Sequence, residues 1–309
     1  MSAYRILSID GGGIRGIVPI RLMQRLQREP GLEDWLARCD LIAGTSTGGI
    51  LALGIAAGLS LEHLAALYTR AGRRIFDDTL WDNVRDLGKT VGAQYSNREL
   101  RNELRQALGD RKLSQLRKRV MITAFDLDNE DPDPSRRSWK PKIFHNFPGA
   151  DSDGELLACD VALYTCAAPT YFPAADGYID GGVFANNPSL CALAQAIDRR
   201  RPQTPALEDI RLLSIGTGVS LSYIRGKNLD WGLAQWASPL IRILMDAVAG
   251  ISDFQCRQLL GDAYHRLQLV FPPRENIPLD AVKKLPLLER FAAEHDLGKT
   301  IAWLRAQWY

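Results

Sequence analysis

Short apolar runs alternate along the chain with segments of helical periodicity. Residues 4–10 (YRILSID), 119–127 (RVMITAFDL) and 210–218 (IRLLSIGTG) are apolar runs of strand length. Residues 17–29 and 60–72 instead repeat apolar side chains every three or four positions, as amphipathic helices do. Strands that alternate with helices favour a parallel sheet with helices on both faces. We therefore predict an α/β fold, a three-layer α/β/α sandwich with a mostly parallel central sheet.

The same alternation continues to the end of the chain without a visible division. No internal repeat, low-complexity tract or linker separates one part of the 309 residues from another. We expect a single domain over residues 1–309, because this length suffices for one large buried core. A strand pattern begins at residue 4, and no apolar run has the length of a membrane span. We therefore expect neither a signal peptide nor a membrane-spanning helix.

Composition and charge narrow the classes of partner. The formal net charge is +2, whereas proteins that bind nucleic acid usually carry a basic excess, so no nucleic-acid partner is expected. No group of His and Cys has the spacing of metal ligands, and we expect neither a metal nor another cofactor. Scattered cysteines without a CxxC pair favour reduced, buried thiols in a cytoplasmic protein. They are Cys39, Cys159, Cys166, Cys191 and Cys256.

A serine lies between two glycines where an apolar run meets a helical pattern. The segment from Gly44 to Gly48 (GTSTG) fits G-x-S-x-G, and its place between a strand and a helix is that of a nucleophile elbow. Glycines allow the close backbone approach that such a corner needs, and the helix N-terminus favours developing negative charge. Ser46 is thus a candidate nucleophile. The alternative is a glycine-rich turn that caps a helix or binds phosphate.

A second glycine-rich turn follows the first strand. Residues 10–16 (DGGGIRG) fit G-x-G-x-x-G, the fingerprint of a dinucleotide site. No acidic residue closes a second strand about 20 residues later, as the ribose contact of such a site requires. The bare amides of Gly11, Gly12 and Gly13, with the charge of Arg15 nearby, also suit an oxyanion hole. A nucleotide-binding module therefore stays open beside an acyl-transfer enzyme.

An aspartate at a third turn adds a candidate base. Asp180, in YIDGG, ends a strand pattern, and in a parallel sheet such strand ends meet at one edge. A Ser-His-Asp triad would need a histidine in a similar turn. All four histidines lie within predicted helices or strands: His63, His145, His265 and His295. We expect a Ser46–Asp180 dyad, in which burial raises the pKa of the aspartate, and a Ser-His-Asp esterase is the alternative.

Four segments together resemble the patatin-like phospholipases: SIDGGGIRG, GTSTGG, AAPTYFPA and YIDGGVFANNP. Their order and spacing are specific, and the similarity extends to residues 240–268. The resemblance implies a three-layer α/β fold and a Ser-Asp dyad that releases fatty acid from phospholipids, galactolipids or simple acyl esters. It assigns Ser46 as nucleophile and Asp180 as base. It assigns the oxyanion hole to the first turn: Gly11, Gly12, Gly13 and Arg15.

The resemblance also bears on location and partners. Plant patatins carry a signal peptide, which we do not expect here, so the chain is more similar to bacterial cytoplasmic relatives. We expect a lipid substrate and transient, peripheral contact with a membrane surface. Some such relatives are gated by a cyclic nucleotide, and the sequence leaves a small-molecule activator open. A lipid-binding protein without turnover is a further alternative. Four tryptophans form a lipid-facing rim, pack in the core or contact a partner: Trp231, Trp236, Trp303 and Trp308.

Overall fold

A central seven-stranded sheet organises the described part of the chain. The structure, a computed structural model, describes residues 3–77, 93, 95–227, 229–273, 275 and 277–309. The strands are β1 (Tyr4–Ile9), β2 (Leu41–Thr45), β3 (Arg119–Asp126), β4 (Lys140–His145), β5 (Tyr178–Asp180), β6 (Ile210–Ile215) and β7 (Tyr264–Leu267). Their order is β4-β3-β2-β1-β6-β7, and β5 pairs with β3 beside this path. Strands β1, β2, β3, β6 and β7 are parallel, while β4 and β5 run antiparallel to β3, so a mostly parallel sheet is confirmed.

Helices fill the connections that parallel strands require. They are α1 (Ile17–Gln27), α2 (Thr47–Ala56), α3 (Leu61–Asp77), α4 (Asn97–Leu108), α5 (Ala158–Cys166), α6 (Gly182–Ala185), α7 (Ser189–Ala196), α8 (Leu233–Leu260), α9 (Leu285–Glu294) and α10 (Gly298–Trp303). The chain ends in a π-helical turn, Leu304–Trp308. The Ser96 side chain caps α4 by accepting from the amide of Arg98, which explains where this helix begins.

Successive residues of each central strand face two different apolar cores. In β1, Leu7 and Ile9 belong to a larger cluster and Ile6 to a smaller one, and β6 repeats this alternation with Leu213 and Leu212. The larger cluster includes side chains of α1 to α5 and α9, and the smaller one those of α7 and α8. A sheet that buries both faces under helices is the predicted three-layer sandwich. The five cysteines are free thiols, and all except Cys191 are buried.

The tryptophans proposed for a lipid-facing rim differ in burial. Trp308 is fully buried, its ring meets that of Trp35 edge to face, and its indole N–H donates to the Trp35 carbonyl at 2.9 Å. The rim interpretation is therefore wrong for Trp308, which holds the C-terminal turn against the core. Trp303 is half-buried, and Trp231 and Trp236 are half-buried and pack on each other.

Candidate active site

Ser46 occupies the corner between β2 and α2. Its backbone is in the left-handed region, with φ 54° and ψ −126°, a conformation that costs a non-glycine residue about 1–3 kcal/mol. The flanking glycines are required by space. A Cβ on Gly44 would lie 2.1 Å from the Gly48 carbonyl oxygen, and one on Gly48 would lie 2.2 Å from that of Ile9. The corner thus has the strand–turn–helix geometry of a nucleophile elbow, with the serine 9% exposed.

The register of β3 brings Asp180 beside this serine. Strand β2 ends with Thr45 opposite Thr123, and β5 ends with Asp180 opposite the next residue, Ala124. Strand β4 already occupies the other edge of β3 at these positions. Strand β5 must therefore pair with the same edge of β3 as β2 does, directly beyond Thr45. The last residue of β2 and the last residue of β5 are thus placed next to each other.

The Asp180 carboxyl is buried, and no cation is among its described partners. It is 6% exposed, and its Oδ1 accepts a hydrogen bond from the Gly182 amide at 2.7 Å. Burial raises the pKa of Asp180 to about 6, while hydrogen bonds from the Ser46 hydroxyl and the Gly182 amide act to lower it. A carboxyl group with this pKa is ionised at neutral pH and accepts a proton more readily than an aspartate in water does.

The first glycine turn presents amides to the same place. A Cβ on Gly11 would lie 3.3 Å from the Ser46 Cβ, so this glycine permits the close approach of the two turns. The amide of Gly11 differs from the expectation for an oxyanion hole, because it already donates to the Asn186 carbonyl at 3.0 Å. The amides of Gly12 and Gly13 donate to no residue in the described part of the chain. These two remain as candidate donors to an oxyanion.

Arg15 donates hydrogen bonds to carbonyl groups at the glycine turn and stays positively charged. Its Nε donates to the Gly12 carbonyl and its Nη1 to the Gly218 carbonyl, both at 3.3 Å. Burial lowers the pKa of Arg15 to about 10, with Asp246 opposing the shift, so the guanidinium stays protonated at neutral pH. The bond to the Gly12 carbonyl polarises the Gly12–Gly13 peptide and strengthens the Gly13 N–H as a donor.

Two cavities meet at Ser46. A narrow cavity of about 90 Å³ is almost entirely apolar, and Ile14, Ile50, Leu104 and Phe172 are among its walls. A wider cleft of about 910 Å³ contains Ser46 together with Asp180, Gly12 and Arg15. Charged side chains of α8 line its remaining wall: Arg242, Asp246, Asp253 and Arg257. The serine therefore lies between an apolar channel and a wider cleft that has both charged and apolar side chains in its walls.

The cleft also contains a buried ion pair. Both Arg266 Nη atoms donate to Asp10, at 2.8 and 2.5 Å, and the two side chains are 8% and 3% exposed. Burial disfavours the charge of Arg266, but attraction and hydrogen bonds from Asp10 outweigh it and raise the pKa of the guanidinium. Burial also raises the pKa of Asp10, and the charge and the two hydrogen bonds of Arg266 oppose this shift. The described hydrogen-bond partner of the Asp10 carboxyl is therefore Arg266 and not Ser46.

The histidines lie elsewhere. No histidine is among the described residues that line the two cavities. His145 lies on β4, which pairs with the edge of β3 opposite to β2, and its ring contacts Arg201 and Asp151. His265 bonds through Nε2 to the Thr300 hydroxyl at 2.9 Å. The geometry therefore gives no support to a Ser-His-Asp triad.

Sequence reasoning missed the residues that support the serine corner from behind. Thr165, at the end of α5, accepts a hydrogen bond from the Ser46 amide, and Thr45 bonds to Thr123 and to the Ala185 carbonyl. Thr165 belongs to no glycine-rich motif, and Thr45 occupies a position that the G-x-S-x-G pattern leaves open, so no local signal marks either contact. Over the described ranges, no group of three or more His, Cys, Asp or Glu is arranged to hold a metal ion. Among the described helices, none is long and apolar enough to cross a membrane.

The chain matches a known family and named relatives. The family model of patatin-like phospholipases matches residues 7–193, which contain all three turns. A cGAMP-activated phospholipase of Pseudomonas aeruginosa is 30% identical over 289 residues, 92% of this chain and 84% of that protein. Patatin-like protein 2 of Oryza sativa is 30% identical over 310 residues, covering 85% of this chain and 73% of that protein. The crystal structure of VipD from Legionella pneumophila aligns over 99% of this chain and 67% of that one, with 11% identity and a TM-score of 0.44.

Proposed function

Because the chain belongs to the patatin-like phospholipase family and is a lipid ester hydrolase, we propose that it cleaves fatty-acyl esters of phospholipids with a Ser46–Asp180 dyad. The observation that carries the proposal is the shared edge of β3, where the strand that precedes Ser46 and the strand that ends in Asp180 abut. A buried carboxylate with no cation among its described partners and a serine in a strained corner are the groups that nucleophilic acyl transfer needs.

The proposed reaction has two half-reactions. The Ser46 oxygen bonds to the ester carbonyl carbon while its proton passes to Asp180. The carbonyl oxygen takes the negative charge beside the Gly12 and Gly13 amides, where preorganised donors stabilise it. The bond to the lipid alcohol then breaks, and the alcohol takes the proton from Asp180. Water adds to the acyl-enzyme, gives a proton to Asp180, and releases the fatty acid as Ser46 regains its proton.

The two cavities suggest how the substrate lies. The apolar channel suits the acyl chain, since its walls offer almost no polar atoms. The wider cleft then takes the alcohol and its head group. Within the described residues, the hydrogen bonds of Arg15 go to carbonyl oxygens only, so its charge is available to an anionic phosphate. This arrangement favours phospholipids over uncharged galactolipids as substrates.

Contact with a lipid surface is part of the proposal. Helix α8 exposes one apolar stripe made of Leu240, Ile243, Leu244, Ile251 and Phe254, each at least 41% exposed. The stripe borders the cleft, because Leu244 also lines it. Apolar side chains grouped on one helix face beside the entrance to a lipid site suit shallow insertion into the interface of a bilayer.

The nucleotide-binding alternative is less well supported. The amides of Gly11, Ile14 and Arg15 already donate to carbonyl oxygens of Asn186, Leu279 and Gly12, respectively. A glycine-rich turn that cradles a diphosphate needs these amides free to point at the ligand. Only the amides of Gly12 and Gly13 are without a described partner, which suits one oxyanion better than a diphosphate.

A fluorophosphonate probe tests the nucleophile. We expect the probe to modify Ser46, located by peptide mapping, and Ser46→Ala to lose both the label and fatty-acid release from phosphatidylcholine vesicles. His145→Gln and His265→Gln are the controls for a triad, and both should keep their activity. Labelling at another serine, or loss of activity in one folded histidine variant, would reject the dyad.

A further inference from the structure

One short segment at the end of α5 contacts both members of the proposed dyad. The Ser46 amide donates to Thr165 Oγ1 at 2.7 Å, and the Asp180 amide donates to the Ala167 carbonyl at 2.9 Å. Between them, the Cys166 thiol lies within hydrogen-bonding reach of the Ser46 hydroxyl. Two peptide units therefore separate the anchor of the nucleophile from the anchor of the base.

Thr165 is itself fixed on both sides. Its hydroxyl donates to the Thr123 carbonyl at 2.6 Å, and it is fully buried. Its methyl group packs on α2, the helix that follows Ser46, since a Cβ on Gly49 would lie 2.8 Å from it. The single hydroxyl thus links the serine corner to Thr123, which pairs with the last residue of β2 and directly precedes the residue that pairs with the last residue of β5.

The strain of the corner gives this link its importance. Ser46 has a backbone φ of 54°, and a non-glycine residue keeps this strained backbone conformation only when the surrounding contacts hold it there. The Ser46 amide is buried, and Thr165 is its described acceptor. Without that oxygen the donor would be unsatisfied, and the corner would relax toward an ordinary turn, which moves the serine hydroxyl away from Asp180.

We propose that Thr165 is a positioning residue, because it fixes the distance between the Ser46 hydroxyl and the Asp180 carboxylate. Its hydroxyl touches neither substrate nor reacting atoms, and it acts through the Ser46 amide. Misplacement of a nucleophile by about 1 Å can lower a rate on the order of 100-fold, because the attack geometry is lost. The inference rests on the proposed function, since it needs Ser46 to be the nucleophile.

Three variants test this role by steady-state release of fatty acid and by the rate of fluorophosphonate labelling. Thr165→Val keeps the shape and removes the acceptor, and we expect kcat and the labelling rate to fall roughly 10- to 100-fold with KM almost unchanged. Thr165→Ser keeps the hydroxyl and should restore both to near the unmodified values. Thr300→Val is the matched control, because Thr300 is also buried and its hydroxyl bonds to His265 at 2.9 Å. It should lose stability without losing kcat.

The outcomes separate this inference from the proposed function. Full kcat in Thr165→Val, or an equal loss in Thr165→Ser, would overturn the positioning role while Ser46→Ala still loses activity. Failure of Thr165→Val to fold, judged by urea unfolding, would assign the residue to stability and also overturn it. Activity retained in Ser46→Ala would instead reject the proposed function, and this inference with it.

Discussion

Two buried aspartates at neighbouring strand ends have opposite surroundings. Asp10 follows β1 and is 2% exposed, and Asp180 ends β5 and is 6% exposed. Asp10 receives two hydrogen bonds from Arg266, whereas the described partners of Asp180 are a hydroxyl and an amide. Burial raises the pKa of both carboxyls, but the guanidinium of Arg266 opposes the shift at Asp10, whereas no cation is among the described partners of Asp180. The partner, and not the depth of burial, therefore separates a structural carboxylate from a candidate base.

The sharpest test of this comparison removes the charge of Asp180 and keeps its shape. Asp180→Asn retains an oxygen for the Gly182 amide but cannot take a proton from Ser46. We expect kcat for release of fatty acid to fall on the order of 10²- to 10⁴-fold, the usual contribution of a general base. KM should change little, because the side chain is not proposed to bind the lipid.

A folding control accompanies this measurement. Asp180→Asn should keep the circular dichroism spectrum and the unfolding cooperativity of the unmodified protein. The loss of kcat can then be assigned to the missing base and not to unfolding. An Asp180→Asn protein that retained more than about a tenth of kcat would fall outside the range for a general base and remove Asp180 from that role.

The complementary change at Asp10 should affect stability instead of chemistry. Asp10→Asn leaves the guanidinium of Arg266 buried without its counter-charge, which typically costs about 3–5 kcal/mol. We expect the free energy of unfolding in urea to fall by this amount while the folded fraction keeps most of its kcat. Replacing both partners, as in Asp10→Leu with Arg266→Met, should recover much of the loss, because no unpaired charge remains. A double variant as unstable as Asp10→Asn would contradict this account of the pair.

The sequence is informative wherever the chemistry is local. The strand–turn–helix corner at Ser46 follows from apolar runs and from glycines whose Cβ atoms would collide, and the three-layer architecture follows from alternating strands and helices. The meeting of Ser46 and Asp180 is expected from the sequence on two grounds, the shared edge of strand ends in a parallel sheet and the resemblance to the patatin-like phospholipases. The actual reason is more specific, since β5 is antiparallel and takes over the edge of β3 at Ala124.

Long-range pairings limit what the sequence predicts about the site. The Asn186 carbonyl accepts a hydrogen bond from the Gly11 amide, and the Thr165 hydroxyl accepts one from the Ser46 amide. No local sequence pattern predicts either hydrogen bond. Arg266 lies 256 residues from Asp10, so the ion pair that distinguishes the two aspartates is invisible in either motif. Burial of Trp308 in the core depends on tertiary packing against Trp35 in the same way.

The smallest expected effect is a difference in pH dependence between stability and activity. The pKa of Asp180 is raised from 3.8 to about 6, so between these values the folded protein holds a proton that the unfolded chain has released. The contribution of Asp180 to stability is therefore greatest at low pH and declines by up to roughly 3 kcal/mol as the pH rises through about 6. The base needs the ionised form, so kcat/KM should fall about tenfold per pH unit below 6.

Unfolding in urea and kcat/KM measured on the same samples between about pH 4 and pH 8 separate these two trends. Asp180→Asn supplies the reference, because it lacks the titrating group and should be more stable than the unmodified protein at neutral pH by the same amount. Burial raises the pKa of Asp10 as well, so the difference between Asp180→Asn and the unmodified protein, in both of which Asp10 is unchanged, isolates the contribution of Asp180. Equal stability of Asp180→Asn and the unmodified protein at every pH would mean that burial does not raise the pKa of this carboxyl. The distinction between the two aspartates would then have no electrostatic basis.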